Sequence, residues 1–275
     1  MFLSNCHTHT FYCDGQNSPE QMVESAVQQG FQSLGFSVHS PMKCKNDFAV
    51  PLNNLDGYFN HIEQLKEKYK GQLEIANGIE IDADCEDYDY SKFDYRIAAV
   101  HQLHCGERVY SIDDTPQELA DCVKNEFDGS YQAMAKQYYS SLASFVCSVK
   151  PEVVAHVDLI SKFNENHHLF DESNTEYQMI AKLYIERICL ACPDTLFEVN
   201  TGAMFRCGNK HPYPSDFILR FLKEHGAKIT LSSDSHSIDS LHFGFDIATD
   251  YIRNAGFTEI YFLDGGSFKA HRIDE

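Results

Sequence analysis

Residues 18–40 read SPEQMVESAVQQGFQSLGFSVHS. Ser18 fits a helix N-cap, Pro19 suits the first helical position, Gln21 can close a capping box and Gly30 supplies a stop. Met22, Val23, Ala26 and Val27 share one face, so the first half predicts an amphipathic helix. The apolar run LGFSV reads as a buried strand, and it ends on His39. A helix feeding an apolar strand with no alternation is the building unit of a parallel sheet covered on both faces.

Outward from this stretch the unit recurs. LDGYFNHIEQLKEKYKG precedes the strand LEIANGIEI, and DYRIAAV is a further strand. TPQELADCVKNEF repeats the capping logic with Thr115, Pro116 and Glu118, and SYQAMAKQYYSSLASFVCSV adds a second helix before EVVAHV. TEYQMIAKLYIERICLA then leads to TLFEVN, PSDFILRFLKEHG to KITLSS, and a last helix to EIYFL. Seven or eight strands in βαβα order define an α/β fold, and that count suits a closed or nearly closed barrel better than the alternative, an open doubly wound sheet. No linker, low-complexity segment or repeat divides the chain, so residues 1–275 are expected to form a single domain. The acidic, tyrosine-rich DADCEDYDYSKFD (82–94) reads as a solvated connection, and DGG at 264–266 as a turn.

Composition narrows the class. With 43% apolar and 23% charged residues, the chain has neither a disordered nor a membrane profile. The net charge of −19 repels nucleic-acid backbones and anionic membranes, so neither is an expected partner. The 10 cysteines are scattered, and no secretory leader precedes them, so a reducing, cytoplasmic location is expected. Cys189 and Cys192 form a CxxC, but in a helical run they read as half-buried apolar residues.

The positions of the metal-type residues carry the function. His7 and His9 end the first strand, His39 the second, and Glu80 closes LEIANGIEI. His101 closes the run AAV, His156 closes EVVA, and Asp234 and His236 follow KITLSS. In a parallel barrel all these strand ends meet at one face, where active sites lie. HxH and DxH on extended segments send both side chains the same way, because side chains alternate with period two. Asp14, in the loop after the first strand, can reach inward. Nine N/O donors exceed the four to six positions of one ion, so two or three divalent ions are implied, with Zn, Mn or Fe equally suited to the donors.

HTHTFYCDG, VHS, NGIE, AAVHQL, AHVDLISKF, FEVNTGAMFR and SSDSH, in that order from Asn5 to His236, resemble the polymerase and histidinol phosphatase (PHP) superfamily, and within it the monofunctional histidinol-phosphate phosphatases. The resemblance implies a distorted (β/α)7 TIM-like barrel with a trinuclear metal centre at the C-terminal ends of the strands. It implies that His7 and His9 bind one ion, Asp14 and His39 another, and His101 and His156 a third. Glu80 would bridge, and Asp234 and His236 would close the set. Arg206 is similar to an arginine that meets the substrate phosphate, and Lys162 falls where the family also presents a basic residue. The second histidine of AAVHQLHC leaves His101 and His104 as alternatives for one ligand; His101, which ends the apolar run, is preferred.

The expected reaction is metal-dependent hydrolysis of a phosphate monoester by a metal-bridging hydroxide held by these ligands, with Arg206 offsetting charge on the phosphoryl oxygens. The substrate implied by the resemblance is L-histidinol phosphate, giving L-histidinol and phosphate in histidine biosynthesis. A nucleotide or other small phosphate monoester is the alternative. A non-catalytic metal-holding module is a third reading, disfavoured because every ligand position is filled. His61, His167, His168, His211, His225, His242 and His271 fit no ligand pattern and read as surface or loop residues, with His168 or His211 as candidates to shape a substrate pocket. The composition leaves the oligomeric state open.

Overall fold

The computed structural model describes residues 2–44 and 46–273. The first strand, β1, is only Ser4–Asn5; β2 is Ser33–His39, β3 Glu74–Asp82 and β4 Tyr95–Ala99. A hairpin of β5 (Gln102–Cys105) and β6 (Arg108–Ser111) stands apart, and β7 (Val153–Val154), β8 (Leu196–Asn200), β9 (Lys228–Ser232), β10 (Glu259–Asp264) and β11 (Ser267–Arg272) complete the strands. The helices are α1 (Pro19–Gln29), α2 (Leu55–Lys68), α3 (Pro116–Glu126), α4 (Tyr131–Val149), α5 (Asn164–His167), α6 (Thr175–Ala191), α7 (Gly202–Cys207), α8 (Asp216–Glu224) and α9 (Phe245–Asn254).

Helix α1 forms for the reasons its sequence gives. Ser18 Oγ accepts from the Gln21 N–H, Gln21 Oε1 accepts from the Ser18 N–H, and Gly30 ends the helix at φ 79°. Met22, Val23 and Ala26 are buried, but Val27 lies at the edge of the apolar stripe and is 37% exposed. At α3 the capping box is half-formed: Thr115 caps Glu118 N, while the Glu118 carboxylate turns away and accepts from Ser111 N at 2.7 Å. That bond fastens the β5–β6 hairpin to α3.

The main sheet runs β1-β2-β3-β4-β7-β8-β9-β10-β11, parallel throughout except for the final β10–β11 hairpin. It curls back on itself where Thr8 bridges Ser235 in parallel, just beyond the ends of β1 and β9. The result is a distorted TIM-like barrel in which β10 and β11 extend the sheet, and the open doubly wound alternative is excluded by this closure. Strands such as β2, buried at all seven positions, fill both faces of the wall. β1 and β7 are shorter than the runs read as strands around them, and the separate hairpin had no counterpart in the hydrophobic pattern. The DGG turn joins β10 to β11, with Gly265 and Gly266 at φ 62° and 81°, where their lack of a Cβ permits a tight reversal. Among the described residues no helix is long and apolar enough to cross a membrane.

Candidate metal centre

Parallel register brings the donors together before any long-range contact is considered. His39 and Glu80 are register partners at the ends of β2 and β3, and His39 Nδ1 lies 2.8 Å from Glu80 Oε2. His7 and His9 flank the bridging Thr8, held by the His9 N–H to Ser235 carbonyl bond (2.7 Å) and the Ser235 N–H to His7 carbonyl bond (3.0 Å). Both imidazoles consequently face the same two carboxylates. Their Nε2 atoms stand 3.3 and 3.5 Å from Glu80 Oε2, and 3.6 and 3.2 Å from Asp234 Oδ1. On the other oxygen of Glu80, Oε1, His156 Nε2 approaches to 3.3 Å and His101 Nε2 to 3.7 Å. One buried carboxylate is thus shared by five imidazoles.

Asp14 completes a second corner. Its Oδ2 is 3.1 Å from His236 Nε2, and its Oδ1 is 3.6 Å from His39 Nε2 and 3.9 Å from His9 Nδ1. The turn that folds Asp14 back requires Gly15, because a Cβ there would collide with the backbone of His9 and Thr10. Asp234 adopts φ 47°, a left-handed conformation that a short polar residue tolerates better than most and that strained functional loops retain. All nine residues expected as ligands therefore meet at one barrel mouth. The donors fall into overlapping sets: His9 with Asp14, His39 and His236; His7 with His9 and Asp234; His7 with Glu80 and His156; and His39 with Glu80 and His101. His104 is not among them. It sits half-exposed on the hairpin, 3.2 Å from Asp84.

The chemistry of the cluster fits divalent cations. The Nε2 atoms of His7 and His9 are buried with no hydrogen-bond partner, a costly state for polar atoms unless a cation satisfies them. Burial opposes ionisation of Glu80, yet His7, His39 and His101 outweigh it and hold the carboxyl well below its ordinary range. Asp234 is likewise penalised by burial and held well down by Arg206 and His7. Burial, reinforced by His39 and His236, pushes His9 down to about 3, so its ring stays neutral, the form that ligates metal.

Two supporting carboxylates escaped the sequence reading. Asp82 was placed in a solvated connection, but it is buried at the end of β3 and accepts from His101 Nδ1 at 2.9 Å and from the His101 N–H at 2.8 Å. The available signal was its spacing: two residues after Glu80, it lies on the same strand face. Glu198, buried in the apolar run LFEVN, lies 2.6 Å from His7 Nδ1. A carboxylate in the middle of such a run is itself a signal, since burial of an unpaired charge is prohibitive.

A cleft of about 660 Å³ opens above these donors, lined in part by Phe48, Lys162 and Arg206. Arg206, projected by α7, donates from Nη2 to Asp234 Oδ2 at 2.7 Å and from Nη1 to the Asp234 carbonyl at 2.8 Å. Gly202 gives it room, because a Cβ there would lie 2.9 Å from Arg206 Nη2. Lys162 Nζ donates to the Asp113 carbonyl (2.6 Å) and carboxylate (2.9 Å). Asp47, Asp114 and Glu118 also line it. His168 and His211 do not line this cleft, so they do not shape it. His61, read as a surface residue, is partly buried and links Tyr12 Oη (3.0 Å) to Glu20 (2.7 Å).

A TIM-like barrel whose mouth gathers six histidines and three carboxylates defines a metal-site protein, and the chain belongs to the PHP domain family, which matches residues 5–201. It is 27% identical over 268 residues to the histidinol-phosphatase of Bacillus subtilis, covering 87% of this chain and 96% of that relative. It is 24% identical over 278 residues to the histidinol-phosphatase of Lactococcus lactis, covering 98% and 94%. The solved structure of the histidinol phosphate phosphatase of Lactococcus lactis, complexed with zinc, L-histidinol and phosphate, superposes with a TM-score of 0.67 at 21% identity, covering 98% of this chain and 99% of that one.

Proposed function

We propose that this protein hydrolyses L-histidinol phosphate to L-histidinol and phosphate, using two or three divalent ions of zinc, manganese or iron. The observation that carries the metal part is Glu80, whose two oxygens are divided among five imidazoles. The substrate follows from the relatives, histidinol-phosphatases matched over nearly their whole length. In this reading the nine donors at the barrel mouth hold the ions. When bound, such ions neutralise phosphoryl charge as Lewis acids and lower the pKa of water.

Arg206 and Lys162 would present N–H groups to the phosphate oxygens, Arg206 through a fork already oriented by Asp234. The carboxylates of Asp47, Asp114 and Glu118 in the cleft lining favour a substrate carrying a cationic group over a nucleotide, whose further negative charge they would repel. Steady-state rates on a panel of monoesters test this. L-Histidinol phosphate should show the highest kcat/KM, and a higher value for nucleotides or sugar phosphates would overturn the substrate assignment. The match over residues 5–201 and the continuation of the same sheet through β9 and β10 support reading 1–275 as one domain.

A further inference from the structure

Glu198 touches no donor-facing nitrogen of the cluster, yet it is the most heavily bonded buried carboxylate beside it. Its Oε1 lies 2.6 Å from His7 Nδ1 and accepts from the Ser232 hydroxyl. Its Oε2 accepts from the His156 N–H at 2.9 Å and from Asn200 Nδ2 at 2.8 Å. His7 and His156 belong to one donor set, together with Glu80. The two oxygens of a single side chain therefore each hold one histidine of that set. They do so from opposite sides, one through a ring nitrogen and the other through the backbone.

We infer that Glu198 is a positioning residue that commits His7 to bind metal through Nε2 and sets the spacing between His7 and His156. A carboxylate accepts only, so the His7 nitrogen facing it must carry the proton. When the ring is neutral, as a metal ligand must be, that leaves the lone pair on Nε2, the atom pointing at Glu80 and Asp234. Glutamine cannot reproduce this arrangement. With its amide oxygen on the His7 side, its NH2 meets two donors, the His156 N–H and Asn200 Nδ2; with the amide reversed, it offers donors to both His7 Nδ1 and Ser232. The inference rests on the metal reading proposed above but not on the choice of substrate, because hydrolysis is not a readout of its test.

The test is zinc binding by the full chain, stripped with a chelator and titrated against a chromophoric competitor. Glu198→Gln should bind one zinc ion about 10–100-fold more weakly than the wild type, with the other affinities little changed. Zinc affinities equal to wild type in a folded variant would overturn the proposal, as would a wild type that binds no zinc. Should Glu198→Gln not fold, ring-nitrogen NMR of the wild-type protein decides. His7 protonated on Nδ1 in the stripped form, and coordinated through Nε2 after zinc addition, supports the assignment. A His7 ring that is protonated on Nε2 alone, or that binds zinc through Nδ1, overturns it.

Discussion

Arg206 and Asp234, 28 residues apart in sequence, are joined twice, through the Asp234 carboxylate at 2.7 Å and its carbonyl at 2.8 Å. The arginine expected to meet substrate thus also fastens a carboxylate of the donor cluster. Arg206→Lys keeps the charge but loses the fork. Charge-assisted hydrogen bonds are worth roughly 1.5–3 kcal/mol each, so kcat/KM for a phosphate monoester should fall by about 100-fold, about 3 kcal/mol. Arg206→Ala should in addition lower the number of ions retained per chain, because Asp234 loses its cationic partner. Steady-state kinetics and elemental analysis of the two variants check both parts.

His9 contacts more of the cluster than any other early residue, facing Asp14, Glu80 and Asp234. His9→Ala should abolish phosphatase activity and reduce the ion count. Cys6→Ser, three residues earlier at a buried thiol 3.9 Å from Thr230 Oγ1, should leave turnover within a few-fold of wild type. Dialysis against a chelator should remove activity from the wild type, and re-addition of a divalent metal should restore it.

The cluster was legible in the sequence because a parallel barrel turns strand ends into neighbours. His39 and Glu80, 41 residues apart, needed only the β2–β3 register to meet. What escaped was tertiary. Glu118 has the spacing of a capping box, yet its carboxylate holds the hairpin instead, and the hairpin itself lies outside the barrel periodicity. Asp82 resembled a loop residue because the acidic composition downstream masked its place on β3. Glu198 is not at a strand end, where position marks a donor, but bonds the strand-end histidines from within the apolar β8.

Lys162 is not a free cation. Asp113 grips it twice, and although burial opposes its ionisation, Lys162 and His101 bring the Asp113 pKa down to about 2. Asp113→Asn keeps the carbonyl contact and removes the ionic one, freeing the ammonium to swing within the cleft. KM should rise about tenfold, equivalent to about 1.4 kcal/mol, with a smaller change in kcat. A kcat loss that exceeds the KM change would assign Asp113 a role in the chemical step instead.

Asp158 sits fully buried behind the site, with Oδ2 accepting from the N–H and hydroxyl of Ser215 at 2.8 Å each and Oδ1 without a hydrogen-bond partner. Burial raises its pKa from 3.8 to about 6. Between those values the folded protein holds a proton that the unfolded chain releases, so this group's contribution to stability falls as pH rises from about 4 to about 6. Two pKa units correspond to roughly 3 kcal/mol. Asp158→Asn, which cannot ionise, should lack this slope. The difference in thermal stability between wild type and variant, measured on chelator-treated protein, should grow in the variant's favour across that window and level off above it. A constant difference from pH 4 to pH 7 would mean that Asp158 titrates alike in the folded and unfolded chains.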